Sequence, residues 1–330
     1  MDCSYHDLSL LREIFVPPPT LSLSLQHNSI SRLERGAFVW APTLLQLDLS
    51  DNNITSISRG WWLPDRRKRN SSSALERLSL ARNLLRFVNR DSFEGLDTVV
   101  CLDLSYNRIS VLRDDIFTGL RSLEELVLDY NPLYYVRGDA FASLRLLRVL
   151  QMNHVGDVTL TPNAFRFLSS LSTLGLAGND FREVSSTCLQ DLVSLESLDL
   201  SENLFSELSP LFLRGLPVLR RLHLNNLVQL TRVEATAFGD LPNLKELHLS
   251  YNPRMTQVHP DTFYNNWSGS YVRLSELHLR HSGLRSLPQR LQDWGTLVVL
   301  DLSENAWNCD CRLRWMAAVV DELPPVYRPM

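Results

Sequence analysis

One apolar pattern, which returns every 24 residues, constrains this chain more than any other feature. The pattern L-x-x-L-x-L-x-x-N-x-L opens at seven evenly spaced residues, Leu75, Val99, Leu123, Leu147, Leu171, Leu195 and Leu219. Further, less regular copies open at Thr20, Leu44, Leu244, Leu274 and Leu297, which makes twelve in all. A fixed short period of this kind predicts a solenoid, in which each copy buries its apolar side chains against its neighbours.

The pattern inside one copy predicts the local structure. Positions 1, 4, 6 and 11 are apolar and are expected to point inward, while the x-L-x-L-x stretch alternates with period two and indicates a short strand. Successive strands must then stack in parallel. The expected fold is a repeat of the α/β class, mainly parallel β. It is a curved, horseshoe-like solenoid with strands on the concave side and loops or short helical turns on the convex side.

Two further columns run through the copies. The first is largely aromatic and is expected to be buried: Phe38, Trp62, Phe93, Phe117, Phe141, Phe165, Leu189, Leu213, Phe238 and Phe263. The second is an asparagine column at position 9, interrupted only by Val155, Leu227 and Ser282. An amide there can satisfy backbone groups that are left unpaired as the strand turns away.

Two copies are longer than the others and carry inserted loops. The spacing is 31 residues from Leu44 to Leu75 and 30 residues from Leu244 to Leu274. Such insertions are expected to leave the stack. In the first of them Trp62 belongs to the aromatic column, so Trp61 is expected to be free of the core.

Both ends of the chain resemble the caps of a known class of protein. The motif N-x-W-x-C-x-C-x-L-x-W at 305–315 resembles the start of the cysteine-rich C-terminal cap of extracellular leucine-rich repeat proteins, and Cys3 with the prolines at 17–19 resembles the end of the matching N-terminal cap. The repeat is similar to those of capricious- and tartan-type adhesion proteins of arthropods and of Slit and Toll ectodomains. The resemblance implies a partial cap at 1–19, a leucine-rich repeat solenoid at 20–304 and a partial cap at 305–330.

The resemblance also implies a location and a set of cysteine roles. Cys3, Cys309 and Cys311 are expected to form disulfides with cysteines outside this sequence, as part of a longer secreted or cell-surface protein. The sequence itself has no apolar signal segment at its start and no stretch of about 18 apolar residues. Zinc at Cys309 and Cys311 is the alternative, although a single C-x-C falls short of four ligands. Three glycosylation sequons, at Asn53, Asn70 and Asn266, agree with an extracellular location.

The variable positions 3, 5, 7 and 8 should face the concave surface, where they form two candidate partner-binding groups. In the first half of the chain, Tyr106 and Tyr130 occupy the same position of adjacent copies, about 5 Å apart by strand spacing. They lie near Asp103 and Asp129. The pair is either a binding hot spot or two rings that merely cover each other.

A histidine column distinguishes the second half. His223, His248 and His278 occupy position 5 of three consecutive copies, and the surrounding candidates are Arg221, Glu246, Tyr251, Glu276, Arg280 and His281. The column is open to three interpretations: a metal site, a pH-sensitive binding patch, or chance within a polar strand motif.

A basic run in the first inserted loop is a further candidate. Arg66, Arg67, Lys68 and Arg69 form either a heparin or heparan sulfate site, a protease cleavage site, or a solvated loop. Arg77 and Arg82 on the neighbouring strand would reinforce a heparin site.

The sequence therefore favours protein recognition without catalysis. It contains no metalloprotease, hydrolase or phosphate-loop motif, and no cofactor is expected. The net charge of −4 gives no general attraction to nucleic acid. The expected function is that of a cell adhesion or guidance protein that binds an extracellular partner on its concave face. The alternatives are a Toll-like signalling receptor and a matrix protein that binds glycosaminoglycan, and the oligomeric state is unassigned.

Overall fold

A computed structural model describes residues 1–11, 16–17, 19–38, 40–62, 74–210 and 212–322. The chain divides into two compact units, Met1–Leu171 and Ser172–Met330. Each unit is a stack of short parallel strands, one from each copy, with few helices. This architecture confirms the predicted repeat solenoid of the mainly parallel β class. The cap boundaries at 19 and 305 stay predictions.

In the first unit, the described residues give six ladder strands, each at positions 3 to 5 of a copy. They are Ser22–Ser24, Gln46–Asp48, Arg77–Ser79, Cys101–Asp103, Glu125–Val127 and Val149–Gln151. They pair in parallel without any offset, so that Ser22 aligns with Gln46 and Cys101 aligns with Glu125. The same position of every copy therefore lies on one line across the strands.

The second unit repeats this arrangement among its described residues. Its ladder strands are Thr173–Gly175, Ser197–Asp199, Arg221–His223, Glu246–His248, Glu276–His278 and Val299–Asp301. The insertion in this unit forms an antiparallel hairpin of Tyr264–Asn265 and Ser270–Tyr271, while the strands on either side of it still pair directly. The second insertion thus leaves the stack as predicted, and the register of the ladder is kept.

Shorter elements follow the ladder strands. Two-residue strands in the first unit are Arg32–Leu33, Ser56–Ile57, Val111–Leu112, Tyr135–Val136 and Thr159–Leu160. Those in the second unit are Glu207–Leu208, Arg232–Val233 and Gln257–Val258. Helical segments are found only in the second unit, among described residues: Ser186–Leu189 and Arg314–Glu322 are α-helices, and Trp294–Thr296 and Cys311–Leu313 are 3₁₀ turns.

The core is built from the leucine positions and the aromatic column. In the first unit Phe93, Phe117, Phe141 and Phe165 are fully buried, and their neighbouring rings stack with centroids 6.0–6.2 Å apart. One ring from each copy thus covers the next, which is how a single copy, too small to form a core, becomes stable in an array.

Trp61 does not lie free of the core as expected. Its side chain is fully buried, it packs edge-on against Phe38 and Trp62, and its indole N–H donates to the carbonyl of Ser92 at 2.7 Å. The expectation was wrong because it assumed one buried aromatic residue in each copy. The copy that opens at Leu44 buries two, Trp61 and Trp62, at the start of its insertion.

The side chains of the asparagine column form hydrogen bonds between neighbouring copies. The side-chain amide of Asn107 donates to the carbonyls of Leu80, Leu104 and Ser105 at 2.9–3.1 Å, and its oxygen accepts from the N–H of Leu85 at 3.0 Å. Each such amide serves its own copy and the copy before it, which agrees with the role expected from the sequence. Where serine replaces asparagine, the Ser282 hydroxyl donates to the carbonyl of Leu249 at 2.9 Å and keeps part of the pattern.

The residue just before the asparagine position adopts the left-handed conformation in all twelve copies. These position-8 residues have φ between 48° and 64°: His27, Asp51, Arg82, Tyr106, Tyr130, His154, Gly178, Glu202, Asn226, Tyr251, His281 and Glu304. The conformation lets the N–H of Tyr106 donate to the carbonyl of Asp129 in the next copy at 2.9 Å. A side chain there costs about 1 kcal/mol, which the repeated turn imposes on every copy.

Candidate functional site

The tyrosine pair of the first unit belongs to a longer stack at position 8. The rings of Tyr106 and Tyr130 are parallel, with centroids 4.3 Å apart, and His154 stacks on the far side of Tyr130 at 4.6 Å. The guanidinium of Arg82 covers the other face of Tyr106 at 4.3 Å. We call these four residues the tyrosine strip. The faces of its two tyrosine rings are covered, so a ligand would meet ring edges and hydroxyl groups.

The tyrosine rings of the strip are stacked on both faces and are still exposed to solvent. Tyr106 is 41% exposed and Tyr130 is 43% exposed although both rings are stacked. A ring held on both sides loses little conformational freedom when a partner binds, and exposed tyrosine is enriched among the residues that dominate binding energy. The rings cover each other and still present their edges, so their mutual coverage leaves room for a binding role, which stays a prediction.

Four carboxylates lie beside the strip on the exposed face of the ladder strands: Asp48, Asp103, Glu125 and Asp129. None of them makes an ion pair with the described arginines or lysines of this unit, whose ion pairs involve other acids. Burial raises the pKa of the Asp129 carboxyl, the negative Asp103 adds to that rise, and hydrogen bonds from Asn153 oppose it. Among the described residues, these four carboxylates therefore take part in no ion pair with an arginine or lysine of this unit.

A shallow groove of about 450 Å³ runs over these strands. Its lining includes Asp48, Asp103 and Glu125, and Arg77 lies among them. The Arg77 guanidinium donates to the sulfur of Cys101 at 3.6 Å, and that thiol faces Glu125 at 3.5 Å. Burial and the Glu125 carboxylate raise the pKa of the Cys101 thiol, which keeps it protonated and unreactive.

The histidine column of the second unit, His223, His248 and His278, is a second stack. Its rings lie 4.4 Å and 4.3 Å apart and are within 15° of parallel. Burial, and then the two flanking histidines, lower the pKa of His248 to about 4. The central imidazole therefore stays neutral throughout the pH range in which free histidine titrates.

The column is not arranged as a metal site. Parallel rings at van der Waals distance place their nitrogens side by side, whereas ligands must converge on one point. Among the described residues, no group of three or more histidine, cysteine or acidic side chains is placed to hold a metal ion. The zinc alternative at Cys309 and Cys311 gains no third ligand from this part of the chain either. The pH-sensitive patch stays a prediction.

Charged groups surround the column on adjacent strands. Arg221 aligns with Glu246, which aligns with Glu276, and the Glu276 carboxylate is 3.6 Å from Nε2 of His278. At the edge, Glu304 pairs with Arg280 and, at 3.4 Å, with Nδ1 of His281. The ring of Tyr251 tilts over that of His281 at 5.7 Å. The second-unit candidates are therefore brought together, and three of them, His278, Arg280 and His281, already lie against carboxylates.

The remaining candidate residues lie in separate places. Cys3, Cys309 and Cys311 carry free thiols in this structure, the last two exposed, and their proposed partners outside the sequence stay a prediction. The sequon residues Asn53 and Asn266 are both exposed. Beside Asn266, Trp267 is 80% exposed at the hairpin turn. Asn70 and the basic run Arg66, Arg67, Lys68 and Arg69 lie outside the described residues.

Sequence reasoning missed the full extent of the tyrosine strip. From the sequence, Arg82 is expected only as a heparin contact, and His154 is not among the predicted site residues. Both share position 8 with the tyrosines, so the alignment of copies was the signal that could have found them. Tyr5, which stacks on His27 at 4.5 Å, was missed because it precedes the first copy.

Solved structures with a similar fold come from several kinds of protein. TLR13, solved in complex with an RNA named ssRNA13, matches with a TM-score of 0.62 and 23% identity over 94% of this chain and 50% of its own. Drosophila Toll, solved with Spätzle, gives 0.57 and 21% over 86% of this chain and 41% of its own. A leucine-rich repeat protein of Leptospira interrogans gives 0.54 and 18% over 98% of this chain and 94% of its own. The chain thus spans half, or less, of the two Toll-type proteins.

No helix within the described ranges is long and apolar enough to cross a membrane. The leucine rich repeat family model matches residues 20–64, 98–156, 169–226 and 226–266. These segments contain nine of the twelve ladder strands described above, all except Arg77–Ser79, Glu276–His278 and Val299–Asp301. Since they make up more than half of the sequence, the chain belongs to the leucine-rich repeat family.

Proposed function

We propose that this chain is a non-catalytic, protein-binding ectodomain of a secreted or cell-surface protein that acts in cell adhesion or guidance. Its partner is an extracellular protein, held on the exposed face of the ladder strands. The observation that carries this proposal is the tyrosine strip, in which two stacked tyrosines remain more than two-fifths exposed. Pre-ordered aromatic edges in a polar surround are typical of the centre of protein interfaces.

The residues proposed to contact the partner form two groups. The first is the tyrosine pair Tyr106 and Tyr130 with Asp103 and Asp129. The second comprises Arg221, His223, Glu246, His248, Tyr251, Glu276, His278, Arg280 and His281. The first group has the stronger support, because its carboxylates make no ion pairs with described basic residues and are available to a partner. In the second group Glu304 already engages Arg280 and His281.

The proposal is tested with a fluorescent tetramer of the full chain and a panel of cells, each displaying one extracellular protein. We expect selective binding that falls by about 1,000-fold in the double variant Tyr106→Ala, Tyr130→Ala, since each hot-spot side chain contributes about 2 kcal/mol and about 1.4 kcal/mol is tenfold. The matched control is Tyr134→Ala, because Tyr134 is 60% exposed in the same unit but lies past the turn. Undiminished binding by the double variant would show that the partner uses another surface.

An extracellular location has its own test. Expression behind a secretion signal should give a product whose mass falls on enzymatic removal of N-glycans, and Asn53→Gln, Asn70→Gln and Asn266→Gln should each remove one glycan. Asn53 and Asn266 are both exposed, so an acceptor loop at these sites would be accessible. A secreted product with no glycan at any of the three sites would remove this support for the location.

The second candidate function is that of the ligand-binding ectodomain of a Toll-like signalling receptor. It is favoured by the fold shared with TLR13 and Toll. Sequencing the transcript past both ends of this reading frame separates the two functions. A membrane span with a short tail supports adhesion, whereas a long cytoplasmic signalling domain supports the receptor.

Binding to heparan sulfate would make the chain a matrix protein instead. Of the two arginines expected to assist, Arg82 already covers Tyr106 and Arg77 contacts Cys101. The test is retention on a heparin column and its loss when Arg66, Arg67, Lys68 and Arg69 are replaced by alanine. No retention of the parent protein would exclude this function.

A further inference from the structure

The exposed face of the first unit combines two features that together select a partner by charge. One is the tyrosine strip along the edge at position 8. The other is the set of four carboxylates at positions 3, 5 and 7: Asp103, Glu125 and Asp129 lie in the copies of the two tyrosines, and Asp48 lies two strands before Asp103. A ligand that lies across these strands meets both features at once.

Three of the four carboxylates accept hydrogen bonds from backbone N–H groups. One oxygen of Asp48 accepts from the N–H of Ser50 at 2.9 Å, and one oxygen of Asp103 accepts from the N–H of Ser105 at 2.8 Å. Asp129 accepts from the N–H of Asn153 at 2.7 Å. These bonds fix the side chains without neutralising their charge. The protein therefore holds fixed negative charges at a part-buried surface, where a charge interacts more strongly than in open solvent.

Two arginines also lie on this face, and neither forms an ion pair with the four carboxylates, which outnumber them. Arg82 lies flat on Tyr106, and Arg77 points along the strands to the sulfur of Cys101. The corresponding face of the second unit is different, because Glu304 pairs with Arg280 and His281, and Glu276 lies 3.6 Å from His278. The second unit also has carboxylates without ion pairs among the described residues, including Asp199 and Glu246, but its exposed Tyr251 tilts on His281 and has no second tyrosine stacked on it. What distinguishes the first unit is the stacked tyrosine pair beside its carboxylates.

We infer that the first unit binds a basic, extended segment of its protein partner, laid across the ladder strands from Gln46–Asp48 to Glu125–Val127. Lysine or arginine side chains of the segment pair with Asp48, Asp103, Glu125 and Asp129, while its apolar atoms pack on the edges of Tyr106 and Tyr130. The inference rests on the proposed function, since it names the chemistry of the same partner. Four strands at about 4.8 Å spacing cover up to about 19 Å, which suits a segment of about six extended residues.

The same charges argue against an anionic occupant. A nucleic acid or a sulfated glycan would bring phosphate or sulfate groups against four fixed carboxylates, and like charges placed together at an interface oppose binding. Stacking does not offset this repulsion, because the tyrosine faces on which bases would stack are covered by Arg82, by His154 and by each other.

The test uses the full chain and two fluorescent peptides of about six residues, a length set by the span of the strands. One peptide alternates arginine with leucine, and the other alternates glutamate with leucine. Fluorescence anisotropy at physiological salt should show saturable binding of the arginine peptide only. The variant Asp103→Asn, Glu125→Gln, Asp129→Asn should weaken this binding by about 30-fold or more, since each paired charge contributes around threefold or better.

A matched control separates a site from diffuse attraction. The variant Asp199→Asn, Glu202→Gln, Asp301→Asn removes three charges from the ladder of the second unit and changes the net charge equally, so it should leave affinity within about twofold. Equal loss in both triple variants would overturn the inference, as would equal binding of the two peptides. Circular dichroism of each variant confirms that the fold is retained.

The two proposals fail in distinguishable ways. If the tyrosine double variant abolishes cell binding and the acidic triple variant does not, the partner uses this face but is not basic there, and only the inference falls. If neither variant affects cell binding, the proposed function on this face falls with it.

Discussion

The tyrosine strip and the histidine column are built in the same way and differ in what they can do. In both, one ring from each copy stacks on the next at 4.3–4.6 Å, since zero register offset brings equivalent residues into line. The strip lies at the edge of the ladder with its tyrosines exposed, whereas the column lies mid-ladder at position 5. There, burial lowers the pKa of His248 to about 4. The repeat thus makes equivalent rings stack, and the position of a ring within its copy determines its exposure and its pKa.

The largest expected effect comes from removing the central ring of the strip. Tyr130→Ala deletes a side chain that stacks on two neighbours, and we expect the free energy of unfolding to fall by about 2 kcal/mol. Tyr130→Phe keeps the ring and should cost less than about 0.5 kcal/mol. Urea unfolding of the full chain measures both variants. If they were equally destabilised, the hydroxyl rather than the stack would hold the strip together.

Acid should destabilise the histidine column and leave the tyrosine strip largely unaffected. The folded pKa of His248 lies below its ordinary value of 6.5, so the unfolded chain binds more protons, and stability is full above pH 6.5 and declines towards pH 4. We expect a loss of about 1–2 kcal/mol, allowing for the partial exposure of the ring. Hydrogen exchange should show reduced protection in strands Arg221–His223 to Glu276–His278 and little change around the tyrosine strip. His248→Phe should abolish the difference, and if it persists in that variant another group is responsible.

The pH dependence of partner affinity is the next test. Because its pKa is lowered to about 4, the central imidazole of His248 stays neutral between pH 7.4 and 5.5. If the column is a pH-sensitive patch, affinity for the partner identified by the tetramer screen should change by about three- to tenfold, and His223→Gln with His278→Gln should remove that change. An affinity equal at both pH values would end the hypothesis of a switch.

The smallest expected effect concerns the left-handed backbone conformation at position 8, which occurs in both units. Glu202 has a φ of 59° and lies at position 8 without belonging to either stack. Glu202→Gly should raise the free energy of unfolding by about 0.5 kcal/mol, because relief of the left-handed strain slightly exceeds the entropy that glycine loses on folding. Thermal unfolding monitored by circular dichroism checks this expectation. A lower melting temperature would mean that the side chain itself contributes to the stack of copies.

Much of this structure follows from the period alone. In this fold, each repeat position lies next to the same position of the neighbouring copy. The sequence alone shows which residues share a position. It therefore predicts the strands, the buried leucines, the asparagine hydrogen bonds and the proximity of Tyr106 to Tyr130. Trp61 was misjudged because insertions have no equivalent elsewhere in the chain. The lowered pKa of His248 was also beyond sequence reasoning, since it depends on how deeply neighbouring rings enclose one imidazole.

The left-handed residue before each asparagine has a consequence for how such a surface evolves. Its backbone is fixed by the turn, whichever side chain it carries, so tyrosine, arginine, histidine, glutamate and glycine all occupy it in this one chain. Mutation there alters what the surface displays while leaving the scaffold intact. The position-8 residues therefore form a row in which the side chain can be exchanged without changing the backbone. Such a row is well suited to grafting a recognition sequence from one repeat array to another.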